Sequence, residues 1–170
     1  MREPEVLHVE FNFHPELCTG CGACVAACMD EHNDFTCAIR RLYRQEKRTR
    51  SGWKEEWYSV ACLHCAEHPC MARCPKQCFS LDAQTGTVQL DSAACVGCGS
   101  CERACSFGGI IFDQNHRAVK CDGCLERLRE GLLPRCVAAC PQAAITVDDR
   151  PALREKSQSA LAQALKKLDH

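Results

Sequence analysis

The chain has 170 residues, a formal net charge of −1 and eighteen cysteines, while aromatic residues make up only 6% of it. So few large apolar side chains exclude a conventional core, and we expect bound metal centres to replace it and to couple folding to metal binding. Residues 1–13 lack the apolar segment of a signal peptide, and no run of about 18 apolar residues could span a membrane. We therefore expect a cytoplasmic protein whose thiols bind metal rather than form disulfides.

The predicted elements repeat along the chain. Residues 6–11 alternate enough for a short strand, and a loop with Gly20 and Gly22 leads into a short helix over residues 23–30. Two β-hairpins are predicted further on, with strands at 79–81 and 87–90 and at 110–112 and 118–120. A strand at 144–147 follows, and then an amphipathic helix over residues 151–170 that packs on its own domain or binds a partner. The repeated loop, helix and strand predict an α+β fold.

Residues 38–58 differ in character from the rest of the chain. They carry three acids and seven basic residues, which are Arg40, Arg41, Arg44, Lys47, Arg48, Arg50 and Lys54. Ser51 and Gly52 indicate a turn, so the flanks at 39–43 and 56–60 could pair as a hairpin. The segment is either a solvated basic loop or a docking surface for an acidic partner or redox protein.

Sixteen of the cysteines fall into four runs of four. The runs are Cys18, Cys21, Cys24 and Cys28; Cys62, Cys65, Cys70 and Cys74; Cys95, Cys98, Cys101 and Cys105; and Cys121, Cys124, Cys136 and Cys140. Three closely spaced cysteines with a fourth four positions later form the ligand run of a bacterial-type 4Fe–4S ferredoxin, in which the fourth cysteine ligates a second cluster. A zinc tetrahedron suits only the fourth run, because the others place their cysteines too close together. The runs predict an electron-transfer protein with four 4Fe–4S clusters, and at about −2 for each oxidised cluster the holoprotein would carry roughly −9.

The sequence permits two ways of wiring these runs. Neighbouring runs could exchange their fourth ligands in chain order, or the two central runs could pair while the outer two close around them. The spacer between Cys74 and Cys95 is a short hairpin, as inside one ferredoxin, whereas the spacer between Cys28 and Cys62 is longer and resembles an insertion. Both spacers favour the second, nested arrangement.

A few other residues are candidates for roles near the clusters. Cys37 and Cys78 lie outside every run and are expected to be buried apolar residues. His64 and His68 lie inside the second run, where we expect structural roles or hydrogen bonds to cluster sulfur. Lys120 is either a surface lysine or a cation that raises the potential of a nearby cluster. No nucleotide-binding motif or catalytic arrangement stands out, so we predict no catalytic residue, no nucleic-acid partner and no enzyme activity of the chain on its own.

The four runs read CTGCGACVAAC, CLHCAEHPCMARCP, CVGCGSCERAC and KCDGC-x11-CVAACP in chain order. Over residues 5–148 the chain resembles the four-cluster iron–sulfur subunit of molybdenum/tungsten-pterin oxidoreductases of the dimethyl sulfoxide reductase type. The resemblance implies two ferredoxin-like modules, one nested within the other. The outer module is residues 5–37 plus 106–150, the inner module is residues 59–105, residues 38–58 are an insertion, and residues 151–170 are a C-terminal helix.

The resemblance also implies a ligand set for each cluster. The sets are Cys18, Cys21, Cys24 and Cys140 for cluster 1; Cys62, Cys65, Cys70 and Cys105 for cluster 2; Cys74, Cys95, Cys98 and Cys101 for cluster 3; and Cys28, Cys121, Cys124 and Cys136 for cluster 4.

In function, the resemblance implies a relay subunit that carries electrons to or from a large molybdenum/tungsten-pterin catalytic subunit. Many longer family members continue into further domains or a membrane anchor, whereas this chain ends in one predicted helix. We therefore expect a short soluble form that accompanies a tungsten aldehyde oxidoreductase, a formate dehydrogenase or a formate-linked hydrogenase. A free-standing soluble polyferredoxin is the alternative, and a flavin- or ferredoxin-type redox partner and self-association stay open.

Overall fold

The computed structural model describes residues 9–35 and 38–148. Its eight strands in these residues are β1 (Glu10–Phe13), β2 (Arg41–Thr49), β3 (Gly52–Val60), β4 (Phe79–Leu81), β5 (Val88–Leu90), β6 (Ile110–Phe112), β7 (Ala118–Lys120) and β8 (Ile145–Asp148). The α-helices are α1 (Ala23–His32), α2 (Pro69–Ala72), α3 (Ser100–Ala104), α4 (Leu125–Arg129) and α5 (Arg135–Ala138). This mixture of short helices and strands confirms the predicted α+β class.

The first and last strands of the described residues pair with each other. β1 and β8 are antiparallel, with Phe11 opposite Val147 and Phe13 opposite Ile145. Helices α1 and α5 also contact each other beside this pair. Two cysteine runs that lie far apart in sequence are thereby brought close together.

The other six strands form three antiparallel hairpins. They are β2 with β3, β4 with β5, and β6 with β7. The last two hairpins confirm the strands predicted at 79–90 and 110–120. Helix α1 runs two residues further than predicted, and it ends where Asn33 takes a left-handed conformation and its N–H bonds the carbonyls of Asp30 and Met29.

Cysteines and a few large side chains share two main cores. One core joins β1, β3 and β8 through buried residues such as Phe11, Val60 and Ile145, with Cys24 and Cys136 among them. The other joins β4 to β7 through Phe79, Val88, Ile110 and Ala118, with Cys70, Cys78 and Cys101 among them. Buried cysteine side chains thus fill interior space that aromatic side chains fill in other proteins.

The β2–β3 hairpin is exposed at its turn and buried at its base. Trp53 near the turn is 74% exposed, whereas Tyr58, Ser59 and Val60 at the end of β3 are buried. Trp57 lies against the loop of the first cysteine run, where a Cβ atom on Gly20 would overlap its indole ring. Residues 41–60 therefore form an anchored hairpin rather than an irregular loop.

Some expectations fall outside the described residues. These are the strand residues Val6–His8, Cys37 and the helix at 151–170. Among residues 9–35 and 38–148, no helix is long and apolar enough to cross a membrane.

Candidate metal centres

Each cysteine run begins with the same local geometry. The backbone two residues after the first cysteine turns left-handed at Gly20, His64, Gly97 and Gly123. This turn directs a backbone N–H back to the first sulfur, at 3.4 Å from His64 to Cys62, 3.4 Å from Gly97 to Cys95 and 3.3 Å from Gly123 to Cys121. The N–H of Gly20 similarly bonds Cys18 and lowers its pKa against the larger, raising effect of burial. Three of the four positions are glycine because a left-handed backbone strains other residues.

The last cysteine of three runs has a matching donor four residues later. The N–H groups of Cys78, Gly109 and Ala144 lie 3.4, 3.3 and 3.3 Å from the sulfurs of Cys74, Cys105 and Cys140. Hydrogen bonds of this kind favour the thiolate, which is the form of cysteine that binds metal, and they tune the potential of an iron–sulfur cluster. Because backbone donors of this kind recur from run to run, all four runs are suited to bind the same kind of metal centre.

Two groups of four cysteines each line a cavity. Cys18, Cys21, Cys24 and Cys140 surround one, which we call site 1, beside Phe13 and Ile145. Cys74, Cys95, Cys98 and Cys101 surround the other, site 3, and Cys78, which lies outside the runs, also lines it beside Phe79 and Phe112. In both cavities sulfur is the common donor atom. Site 1 gathers cysteines from the two ends of the described chain, whereas site 3 gathers them from residues 74–101.

A third group, site 2, consists of Cys62, Cys65, Cys70 and Cys105. Burial is the main cause that raises the pKa of Cys70 to about 11, and the neighbouring thiolates of Cys62 and Cys105 raise it further. The same two neighbours, after burial, raise the pKa of Cys65. Helices α2 and α3 pack together at this point and bring residue 70 close to residue 105. These thiols are therefore mutual neighbours.

A fourth group, site 4, consists of Cys28, Cys121, Cys124 and Cys136, all of them buried. Cys28 on α1 meets Cys136 on α5. Burial raises the pKa of Cys28 to about 11 and that of Cys124 to about 12, with Cys136 adding to the rise in each case. Thiols that resist ionisation in the empty protein become thiolates when metal binds, so metal binding here releases protons.

The sites differ in their access to solvent. Cys21 in site 1 and Cys98 in site 3 are exposed, whereas sites 2 and 4 contain no exposed cysteine. Hydrogen bonds from Ser100 lower the pKa of Cys98, while burial raises the pKa of Cys121 in site 4 well above its usual value. Sites 1 and 3 thus reach the surface, and sites 2 and 4 lie inside.

The two histidines of the second run lie in different surroundings. His64 is buried, and its Nδ1 accepts a hydrogen bond from the N–H of Val88 at 3.0 Å, so the run is tied to strand β5. Its ring also packs on Phe11, with the centroids 5.6 Å apart. His68 precedes α2 in a left-handed conformation. A structural role of His64 is what the sequence predicted.

Cys78 and Lys120 are both buried. Cys78 packs in the core of β4 to β7, as predicted for a cysteine outside the runs. Lys120 is not a surface lysine, because its Nζ donates to the carbonyl oxygens of Val88 and Cys121. A cation therefore lies beside site 4, and the interpretation of Lys120 as a surface lysine is wrong.

Two further residues were missed by the sequence analysis. Arg40 was counted with the basic residues of the 38–58 segment, but it is only 2% exposed and lies among the cysteines. Ser59 is buried next to it and bonds both Arg40 and Cys24. Neither lies in a recognisable motif, so only their tertiary position reveals them.

The structure and the cysteine pattern together define a ferredoxin-like iron–sulfur protein. Residues 53–150 match the family model of the 4Fe-4S dicluster domain, and residues 11–28 match that of the 4Fe-4S binding domain. This protein belongs to that 4Fe–4S family, as a ferredoxin-type relative of the iron–sulfur subunits of molybdopterin oxidoreductases. It binds 4Fe–4S clusters, and sixteen cysteines in the runs match a total of four.

Relatives with described roles agree with this membership. One of the chains of the anaerobic dimethyl sulfoxide reductase of Haemophilus influenzae is 33% identical over 169 residues, covering 89% of this chain and 80% of the relative. The protein of the same name from Escherichia coli is 32% identical, covering 86% and 76%. One of the subunits of the tetrathionate reductase of Salmonella typhimurium is 34% identical, covering 78% of this chain and 54% of the relative.

Proposed function

We propose that this chain is an electron-relay subunit that passes electrons through four 4Fe–4S clusters to or from a large molybdenum/tungsten-pterin catalytic subunit. The observation that carries the proposal is the presence of two cysteine groups at the surface and two inside. Each cluster supplies a one-electron carrier when bound. A surface group at each end suits entry and exit, and buried groups between them suit a path shielded from water. In this role the chain conducts electrons and catalyses no reaction of its own.

Contacts between the groups favour the order site 1, site 4, site 2, site 3. Cys24 of site 1 bonds Ser59 at 3.4 Å, and Ser59 bonds Arg40, which lies beside site 4. Cys121 of site 4 shares a small core with Cys62 of site 2. Site 2 and site 3 adjoin through helix α2, with Cys70 inside the helix and Cys74 just after it. Every neighbouring pair therefore has a bridging contact.

The four cysteine groups are also our proposed ligand sets, one set for each cluster. Local hydrogen bonds support this assignment, because backbone N–H groups hold the sulfurs of the first and last cysteines in place before metal arrives. The protein residues then have two tasks. The sulfurs hold the clusters, and the apolar cores of β1–β8 and β4–β7 exclude water from them.

We further propose the nested arrangement of two modules. Pairing of β1 with β8 and contact of α1 with α5 support an outer module made from both ends of the chain. Contact of α2 with α3 supports an inner module that includes residues 62–105. Since β6 and β7 share a core with β4 and β5, we draw the inner module to about residue 120 rather than 105.

The identity of the catalytic partner is the most specific part of the proposal. The names of the relatives, which assign them to a dimethyl sulfoxide reductase and a tetrathionate reductase, support a partner of the molybdenum-pterin class. A tungsten or molybdenum partner of the aldehyde oxidoreductase or formate dehydrogenase type, working in the cytoplasm, is the specific version suggested by the resemblance in sequence.

The test is purification of tagged native protein from its source under anaerobic conditions. The proposal predicts about sixteen iron and sixteen sulfide per chain and a larger pterin-containing subunit in the same complex. Rapid reduction of all clusters by that partner with its substrate would support the relay. Stoichiometric zinc without sulfide would rule out the clusters, whereas a lone protein that exchanges electrons with unrelated enzymes would favour the free carrier.

A further inference from the structure

Arg40 and Lys120 are the buried Lys and Arg residues of the described chain. The side chain of Arg40 is 2% exposed, although it directly precedes the exposed strand β2. Among residues 9–35 and 38–148 no carboxylate forms an ion pair with it, and its Nε and Nη2 have no hydrogen-bond partner there. Burial of a guanidinium without a partner is costly, so negative charge is expected nearby.

The nearest sources of negative charge are cysteine sulfurs. The sulfurs of Cys136, Cys121, Cys24 and Cys28 lie near enough to the Arg40 guanidinium to interact with it electrostatically. Three of these four cysteines belong to site 4. The backbone N–H of Arg40 also bonds Cys28, so the backbone and the guanidinium of Arg40 both face that site.

A second connection leads from Arg40 to site 1. Its Nη1 donates to the Oγ of Ser59 at 3.0 Å, and this Oγ lies 3.4 Å from the sulfur of Cys24. Because the guanidinium can only donate, the Ser59 oxygen accepts from it and the Ser59 proton is free to point at Cys24. Ser59 is buried as well, so the link is shielded from water.

We propose that Arg40 is a buried counter-charge shared by the clusters at sites 1 and 4, and that it raises the reduction potential of both, reaching site 1 through Ser59. A reduced cluster carries one more negative charge than an oxidised one. A fixed positive charge nearby therefore favours the reduced form, and hydrogen bonds to cluster sulfur act in the same direction. The inference rests on the proposed ligand sets.

The local cation content distinguishes these two sites from site 3. Two exposed cations lie at site 3 in the described chain: Lys76 lines its cavity, and the Nη2 of Arg103 donates to the main-chain oxygen of Cys98 and to Ser100. Water screens an exposed charge of this kind much more than a buried one. Removal of Arg40 is therefore expected to change the spread of potentials along the relay rather than to shift all four clusters together.

The test is a redox titration of the holoprotein followed by electron paramagnetic resonance. Signals are assigned to sites 1 and 4 from the Cys21→Ser and Cys124→Ser proteins. In Arg40→Gln the reduction equilibrium constants of both clusters should fall at least tenfold, which is 59 mV for a one-electron couple, while sites 2 and 3 keep their values. Ser59→Ala should shift site 1 alone. Arg129→Gln, which removes an exposed cation that pairs with Asp82, is the matched control and should shift none.

Arg40→Lys separates charge from packing. Lysine keeps the positive charge in a different shape. We therefore expect the reduction equilibrium constants of the clusters in Arg40→Lys to lie within threefold of the original values. If the Arg40→Gln protein loses a cluster, the Arg40→Lys protein tests whether the missing charge or the altered packing caused the loss. Full iron content with near-original potentials supports the counter-charge, and loss of the same cluster overturns it. Unchanged potentials in an Arg40→Gln protein that holds all four clusters would overturn the inference and leave the proposed relay function untouched. Absence of clusters from the unsubstituted protein would instead overturn the proposed function.

Discussion

Sites 1 and 4 are assembled differently from sites 2 and 3. Cys140 and Cys136 come from the far end of the described chain to join Cys18 and Cys28 near its start. Sites 2 and 3, in contrast, draw all their cysteines from residues 62–105. The long-range sites depend on β1–β8 and α1–α5, and the local sites depend on α2–α3 and their hairpins.

Cysteine runs of the same spacing can therefore form sites that differ in stability. Closing a longer loop costs more chain entropy, although the cost grows only slowly with length. Contacts between the chain ends must compensate for that cost before sites 1 and 4 can form. We therefore expect conditions that weaken the end-to-end contacts to empty the long-range sites while the local sites keep their iron.

The largest effect should come from removing a sulfur that joins the two ends. Cys140→Ala takes one sulfur from site 1, so we expect loss or conversion of the cluster on Cys18, Cys21 and Cys24 and a fall of up to about four in iron per chain. Cys78→Ala is the control for the loss of a thiol: Cys78 lines site 3 but lies outside every run, so this protein should keep the cluster on Cys18, Cys21 and Cys24. Damage to the cluster on Cys95, Cys98 and Cys101 instead would favour wiring in chain order.

Next in size is a pair of core substitutions that weaken one class of site at a time. Phe11→Ala removes a buried ring from the β1–β8 core, and Phe79→Ala removes one from the β4–β7 core. Each should cost about 3–5 kcal/mol. On mild heating, Phe11→Ala should release iron from sites 1 and 4 first, and Phe79→Ala from site 3 first. Iron release together with the spectra of the remaining clusters measures this, and identical orders of loss in the two proteins would contradict the comparison.

A smaller effect is expected where the β2–β3 hairpin packs on the first run. Both Gly20 and Gly22 have a left-handed backbone, but a Cβ atom on Gly20 would overlap Trp57, whereas one on Gly22 would meet nothing within 4 Å. Gly22→Ala should therefore cost only about 1–2 kcal/mol of backbone strain. Gly20→Ala should lower the temperature of cluster loss further. Equal temperatures for the two proteins would show that the indole moves aside freely.

The smallest effect concerns the charges at the hairpin turn. Arg44 pairs with Glu46 and Glu55, while in the described structure Arg48 and Arg50 have no ion-pair partner. If this turn docks an acidic partner, Arg48→Glu with Arg50→Glu should slow electron transfer severalfold at low ionic strength and less at high salt. Arg129→Glu, at an exposed arginine outside the hairpin and outside the cysteine runs, is the control. Unchanged rates at low salt would leave the turn as a solvated surface.

Much of the local structure was predictable because neighbouring residues determine it. The hairpins at 79–90 and 110–120, helix α1 and the strand before residue 148 are all where the pattern predicts them. Gly20 and Gly22 indicated a tight loop in the first run, and both have the left-handed backbone that such a loop needs. His64 takes this conformation without being glycine, and its bond to Val88 could not be seen in the sequence.

The chemistry of the sites follows from the sequence alone, because ligand type and spacing within a run are properties of adjacent residues. Sixteen cysteines in four runs predict iron–sulfur clusters before any fold is known. The surroundings of those cysteines, in contrast, depend on the tertiary fold. Arg40 looked like part of a basic surface segment and Lys120 like a possible surface lysine, yet both are buried beside thiols. Burial and electrostatic contact depend on segments that meet only when β1 pairs with β8 and the hairpins pack, so no local pattern encodes them.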